Sequence, residues 1–321
     1  MRVALDATPL RLTRAGTARY IESLLARLDE LEPVAFGGAE RAAVLAREVW
    51  WYPFRLSTLG GADALHCPTY YAPLRPTLPT VVTVHDLAVL RHPEAFGRWT
   101  RSYVPHAIPH MVRAASRVIA VSQFTAGEVE RLLRVPRERI RVVPNAAASV
   151  FAPGGERADG DYVLAVGTLE PRKNLDRAIE AAARGGVELR VVGAAGWGGV
   201  EARGAHVRWL GRVDDAELAR LYRGAACLVY PSLYEGFGLP VLEALACGTP
   251  VVTSRGGATE EVAGGAAVLV DPLDVVSIAD GIAAAASRAD ELRALGLERA
   301  RAFSWDDTAA RTRAIYKEIT R

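Results

Sequence analysis

Residues 229–254 read VYPSLYEGFGLPVLEALACGTPVVTS, and this stretch decides the fold. A short apolar run leads into a Gly-rich turn, then about two turns of helix, then a second apolar run. Apolar runs without polar alternation predict buried parallel strands on either side. Gly236 and Gly238 let backbone approach a ligand closely, and Leu239-Pro240 opens the helix, where proline is tolerated. The uncapped N–H groups at that helix start suit an anion. Glu235 precedes the turn, and Glu243 lies eight residues later inside the helix. Glu243 stands four residues before Cys247, on a face that leans toward the sheet or a cleft. Composition alone also allows a plain strand–turn–helix unit with Glu243 facing solvent.

Outward from this stretch, further apolar runs at 162–166, 189–192, 206–210 and 268–270 alternate with helical patterns. An earlier series comprises 3–7, 33–36, 64–67, 80–84, 117–121 and 140–143. Two consecutive series of this kind predict an α/β protein of two Rossmann-like lobes. Pro144-Asn145 and residues 146–160, with Pro153, Gly154 and Gly155 and no periodicity, mark the boundary. The expected domains are 1–150 and 151–321, with a last helix near 305–319 and Ser304 as its candidate N-cap. Helices are also expected from 18 to about 31, over 40–49 and over 98–115, where Pro105 and Pro109 predict a bend or a division. The run Trp50-Trp51-Tyr52-Pro53-Phe54 suits packing under a helix or loop, stacking on an acceptor, or a membrane-facing edge.

Composition excludes several classes. At 321 residues, half apolar and 24% charged, the chain suits two ordinary soluble domains. A net charge of +2 implies no general affinity for nucleic acid, although a local basic patch stays open. Cys67, Cys227 and Cys247 form no ligand or disulfide spacing and read as buried free thiols of a reducing cytosol. No run reaches membrane-spanning length, and the chain enters its first strand at Val3, so no secretory signal is expected. The expected location is cytoplasmic, with peripheral attachment at the inner face of a membrane left open.

Candidate site residues follow from position. Gly16 ends a loop between a strand and a helix, but no complete dinucleotide fingerprint is present. His85 and Asp86 follow a strand, where open α/β sheets bind ligands. Either His85 contacts a sugar hydroxyl or phosphate oxygen, or it only closes the strand. Ser122 stands at another such strand end, and helix capping explains it equally well. Arg172 and Lys173 sit at a helix start, where two cations oppose the dipole unless an anion binds there. Asp214-Asp215 read as helix caps in preference to metal ligands.

The stretch 229–254 closely resembles the glutamate–seven residues–glutamate signature of retaining glycosyltransferases of family GT4. Glu235 and Glu243 match its glutamates, and GFGLPVLEALACGTPVV matches almost throughout. VHDLAVLRHPE around His85 and GTLEPRKNL at 167–175 resemble two further family segments. The resemblance implies the GT-B fold: two Rossmann-like α/β/α domains facing across a deep cleft, with the C-terminal helix crossing back to the N-terminal domain. It implies an acceptor-binding first domain and a donor-binding second domain. Arg172, Lys173, Gly16 and the backbone from Gly236 through Phe237 and Gly238 to Leu239 would hold the diphosphate. Glu235 would address the transferred sugar, Glu243 the ribose, and Leu210 to Val213 the base. His85 would serve catalysis, with Asp86 and Ser122 on the acceptor side. Thr17-Ala18 and Ala146 depart from the family pattern, and the first lobe is short between 31 and 62.

The implied reaction moves a hexosyl group from a nucleotide-diphosphate sugar to a saccharide, lipid-linked or small-molecule acceptor. It proceeds with retention and with no cofactor or metal. Within the family, the mannosyl-, rhamnosyl- and glucosyltransferase branch fits best; GDP-mannose is favoured, with UDP-glucose or a dTDP-sugar next. A phosphorylase of similar architecture would need a pyridoxal-phosphate lysine that has no match here. A non-catalytic two-lobed sugar-binding protein leaves Arg172-Lys173 unexplained. Oligomeric state is not legible.

Overall fold

The computed structural model describes the chain except residues 13–15, 38–39, 57–60 and 197, and except the side chains at 41, 42, 45, 95 and 98–100. Two compact units form: Met1–Asn145 together with Trp305–Arg321, and Ala146–Ser304.

In the first unit, β1 (Val3–Asp6), β2 (Leu31–Val34), β3 (Ala64–Cys67), β4 (Thr80–Val84), β5 (Arg117–Ala120) and β6 (Ile140–Val142) make one parallel sheet. Its order is β2-β1-β3-β4-β5-β6, so the topology switches direction between β1 and β3. Helices α1 (Gly16–Leu25), α2 (Arg41–Ala46), α3 (Ala88–Arg91), α4 (Arg98–Ala114) and α5 (Gln123–Leu133) connect the strands. β1, β3 and β4 are buried at every residue, which is why they read as unbroken apolar runs.

The second unit holds β7 (Tyr162–Val166), β8 (Glu188–Val192), β9 (Val207–Gly211), β10 (Cys227–Tyr230), β11 (Val251–Ser254) and β12 (Val268–Val270). The order β12-β11-β10-β7-β8-β9 switches between β10 and β7. Its helices are α6 (Leu175–Arg184), α7 (Asp215–Gly224), α8 (Leu239–Cys247), α9 (Ala258–Ala263), α10 (Val275–Ser287) and α11 (Ala289–Ala300). In each sheet the crevice beyond the carboxyl ends at the switch is where such folds bind ligands.

The last helix, α12 (Trp305–Ile319), belongs to the first unit. Arg313 grips Glu30 with two bonds of 2.6 and 2.9 Å, and Glu318 accepts from Arg117 and Arg141 at 2.9 and 2.7 Å. Thr308 donates to the Pro144 carbonyl at 2.7 Å.

Several sequence expectations need correction. α1 ends at Leu25, and Leu31 starts β2, paired with Val3. Leu28 stays buried in the turn between them, so the apolar stripe outlasts the helix. The strand expected at 33–36 therefore lies two residues earlier. α4 runs undivided through Pro105 and Pro109, because Val104, Ile108, Met111 and Val112 bury one continuous face across both prolines. The helix expected over 40–49 gives way at Arg47–Arg55 to a wide π-helical segment that contains Pro53. Trp51 and Tyr52 are buried there, stacked on Phe36 and Tyr71, whereas Trp50 and Phe54 are exposed. The aromatic run thus divides between core and surface. All three cysteines are free and buried.

Candidate functional site

In the second unit the loops after β7 and β10 flank the sheet's switch point. Gly167 leaves β7 with φ +145°, and a Cβ there would meet the Lys173 stem at 3.2 Å. Gly193, at the end of β8, packs so tightly that a Cβ would lie 1.8 Å from the Gly167 carbonyl oxygen. The loop then makes a 3-10 turn, Pro171–Lys173, and Asn174 takes a left-handed conformation (φ 58°) before α6. The Asn174 amide donates to the carbonyls of Pro231 (2.9 Å) and Pro272 (2.6 Å), locking the β7 and β10 loops together.

This brings Arg172 and Lys173 onto Glu235. Lys173 Nζ lies 2.6 Å from Glu235 Oε1, and Arg172 reaches Oε2 at 2.9 Å. Tyr230 and Ser232 donate to the same Oε1 at 2.9 and 2.7 Å. Lys173 also donates to the Tyr230 oxygen, and Arg172 to Glu170 and the Tyr234 carbonyl. Burial alone would raise the Glu235 pKa, but the charges of Lys173 and Arg172 outweigh it and bring it down to about 2. Two cations and two carboxylates, Glu170 and Glu235, thus balance one another beside the start of α8.

That start is shaped for close approach. Gly238 has φ +101°, a Cβ on it would sit 2.9 Å from Thr259, and α8 has no side-chain N-cap. Gly236, Phe237 and Leu239 surround this turn, and Phe237 is buried with its ring edge-on to Phe303. Glu243 does not join the ion cluster. It is 3% exposed and accepts from the Tyr222 hydroxyl on α7 at 3.2 Å, which excludes the solvent-facing alternative.

Leu210 and Val213 lie at the end of β9, the outermost strand on this side. They connect to the rest through Gly193, which donates to the Gly211 carbonyl and accepts from the Trp209 indole at 2.9 Å. Asp214 caps α7 by accepting from Glu217 N at 2.8 Å. Among the described residues no group of three or more His, Cys, Asp and Glu is placed to hold a metal ion.

In the first unit His85 follows β4 and donates from Nε2 to the Pro68 carbonyl at 3.1 Å. That bond leaves Nδ1 as the ring's acceptor. Burial lowers the pKa to about 4 against the opposing pull of Asp86, so the ring is neutral at pH 7. Asp86 accepts from Ala88 N at 2.9 Å and so starts α3. Ser122 is buried and accepts from Thr125 N at 2.9 Å as the N-cap of α5, the capping alternative. Gly16 begins α1, and one turn on Tyr20 sets its ring 5.0 Å from that of His85, nearly perpendicular.

Residues 149–301 match the family described as Glycosyl transferases group 1, and 13–147 match Glycosyltransferase Family 4. Over 280 residues the chain is 34% identical to the O-antigen chain mannosyltransferase B of Escherichia coli, covering 78% of this chain and 73% of that one. The chain belongs to this glycosyltransferase family. It is 35% identical over 246 residues to a D-inositol 3-phosphate glycosyltransferase of Kribbella flavida, covering 65% of this chain and 58% of that one. Among solved structures, Anabaena HepE in complex with UDP-glucose superposes with a TM-score of 0.73 at 18% identity, covering 98% of this chain and 99% of that chain. This is the GT-B fold. The protein is a retaining glycosyltransferase that draws on a nucleoside-diphosphate sugar.

Sequence reading missed Tyr230, Ser232, Glu170 and Asn174, which hold the ion cluster, and Tyr222, which holds Glu243. Tyr230 and Ser232 lay within the quoted stretch. Their hydroxyls were hidden in what reads as a buried strand and a turn.

Proposed function

We propose that the protein transfers a hexosyl group, mannose first among candidates, from GDP-mannose to a hydroxyl of a saccharide, lipid-linked or small-molecule acceptor. The gathering of Arg172 and Lys173 on Glu235 beside the open start of α8 carries this reading. A diphosphate can share the N–H donors of Arg172 and Lys173, and the uncapped start of α8 offers it backbone N–H groups. As the glycosidic bond breaks, charge grows on the diphosphate, and the same two cations stabilise it where it develops. Glu235, already ionised, faces the positive charge that forms at the sugar and accepts from its hydroxyls.

With both of its oxygens engaged by cations and hydroxyls, Glu235 acts as an electrostatic and positioning group, not as a covalent nucleophile. Retention then follows from attack on the face the diphosphate leaves, with a diphosphate oxygen taking the acceptor's proton. Glu235 and Glu243 are no glycosidase pair, because Glu243 is turned into α7. Glu243 is proposed to meet the ribose by a carboxylate oxygen, with Tyr222 fixing its orientation. The second unit serves the donor and the first the acceptor, where neutral His85 accepts a hydroxyl at Nδ1 and Asp86 and Ser122 shape the surrounding turns.

Mannose rests on the likeness to the mannosyltransferase of Escherichia coli, and UDP-glucose, bound by the Anabaena protein, is the second reading. Purified protein assayed for nucleotide release with GDP-mannose, UDP-glucose and dTDP-rhamnose, with mixed acceptors, tests both. Faster release from GDP-mannose is expected, and a preference for UDP-glucose would move the reading to the second donor. Tight binding without turnover of any donor would make it a sugar-binding protein.

A further inference from the structure

Behind His85 runs a buried polar chain that the reaction as described does not use. Thr83 and His85 are two apart at the end of β4, where residues of one parity share a sheet face. The Thr83 hydroxyl lies 2.8 Å from His66 Nε2 and 3.1 Å from the Tyr20 hydroxyl. His66 Nδ1 lies 2.5 Å from the Tyr316 hydroxyl on α12. Near Tyr20, Thr312 of α12 donates to the Thr308 carbonyl at 2.7 Å. His66, Thr83, Tyr20, Thr312 and Tyr316 are all fully buried.

Burial, with repulsion from a protonated His85, lowers the His66 pKa to about 3, so the ring is neutral at pH 7, with one nitrogen donating and the other accepting along the chain. The chain leaves α12 at Tyr316 and reaches the Tyr20 hydroxyl through His66 and Thr83, and the Tyr20 ring stands 5.0 Å from the His85 ring at 82°. Together with the Pro68 carbonyl on Nε2, this ring leaves His85 one orientation.

We infer that Tyr20 is a positioning residue for His85, and that the chain Thr83–His66–Tyr316 makes the C-terminal helix part of the machinery that aims it. The inference rests on His85 acting in transfer, as proposed above. It is tested in the full chain by Tyr20→Phe, which keeps the ring and removes the hydroxyl, and by Tyr316→Phe at the far end. The readout is imidazole 15N NMR, with the His85 signal assigned by its loss in His85→Gln. In the native chain His85 is expected as a single tautomer protonated at Nε2. In Tyr20→Phe it is expected to mix tautomers, with kcat about 10-fold lower and donor KM unchanged. Tyr316→Phe is expected to give a weaker version of the same change.

An unchanged His85 spectrum in folded Tyr20→Phe would overturn the inference. If Tyr20→Phe does not fold, Thr83→Val breaks the same link, and the same spectrum decides. Full turnover by His85→Gln would instead remove His85 from the reaction, while the spectra alone still judge the positioning.

Discussion

At the scale of single residues, the ionised state of Glu235 is the most consequential feature. Glu235→Gln leaves Arg172 and Lys173 with less negative charge between them. Nucleoside diphosphate is therefore expected to bind at least as tightly, by calorimetry, while kcat falls about 100-fold or more. Loss of diphosphate affinity with kcat intact would contradict the assignment. The carboxylate also ties stability to acid. Its folded pKa of about 2 lies below the ordinary 4.5, so its contribution is complete above about pH 4.5 and is lost as pH falls toward 2. That contribution amounts to at most about 3 kcal/mol, and urea unfolding at pH 5 and pH 3 should show a smaller difference in Glu235→Gln than in the native chain. Asp6 has the opposite sign. It is fully buried, burial raises its pKa to about 6, and its Oδ2 has no hydrogen-bond partner among the described residues, while Oδ1 serves Thr8. Its ionisation therefore costs stability as pH rises through 6. Asp6→Asn keeps an acceptor for Thr8 and is expected to raise the melting temperature at pH 7.5, with the gain disappearing below about pH 4. At this scale Glu235, Arg172 and Lys173 were legible because they sit in short local motifs. Tyr20 and His66 were not, since Tyr20 meets Thr83 63 residues away, His66 meets Tyr316 of α12 250 residues away, and no local pattern marks them.

Among the elements, the β7 loop depends on its neighbour. A methyl group on Gly193 would fall 1.8 Å from the Gly167 carbonyl, a backbone atom that cannot swing aside. Gly193→Ala is therefore expected to push out the loop carrying Arg172 and Lys173. Donor affinity should drop at least 10-fold and unfolding should become easier by about 2 kcal/mol or more, measured by nucleotide titration and urea melts. Native affinity in Gly193→Ala would show that the loop's seat on β8 is not what sets the cations. The strands were legible as unbroken apolar runs, because both faces of β3, β4 and β10 are covered. The π-helical segment Arg47–Arg55 was not, since a wide turn places Trp51 and Tyr52 inward at neither the helical nor the strand period. The undivided α4 defeated the proline rule because its apolar face is continuous on both sides of Pro105 and Pro109.

For the molecule as a whole, the two-series pattern was readable from the alternation of runs, whereas the membership of α12 came only from the family resemblance, because an amphipathic helix carries no address of its own. The first unit is interrupted in sequence: 159 residues of the second separate Asn145 from Trp305. Deleting residues 305–321 is expected to leave the second unit resistant to limited proteolysis while the first becomes cleavable around β3 and α1. Equal resistance of both would show that α12 is dispensable to the first unit. The same discontinuity bears on the chain's birth at the ribosome. His66 and Tyr20 emerge early and share the Thr83 hydroxyl, yet the Tyr316 hydroxyl that engages His66 Nδ1 follows the whole of the second unit. That buried nitrogen therefore waits without it while every residue of the second unit is made and free to fold. The nascent first unit is thus left incomplete, and open to chaperones, until α12 emerges.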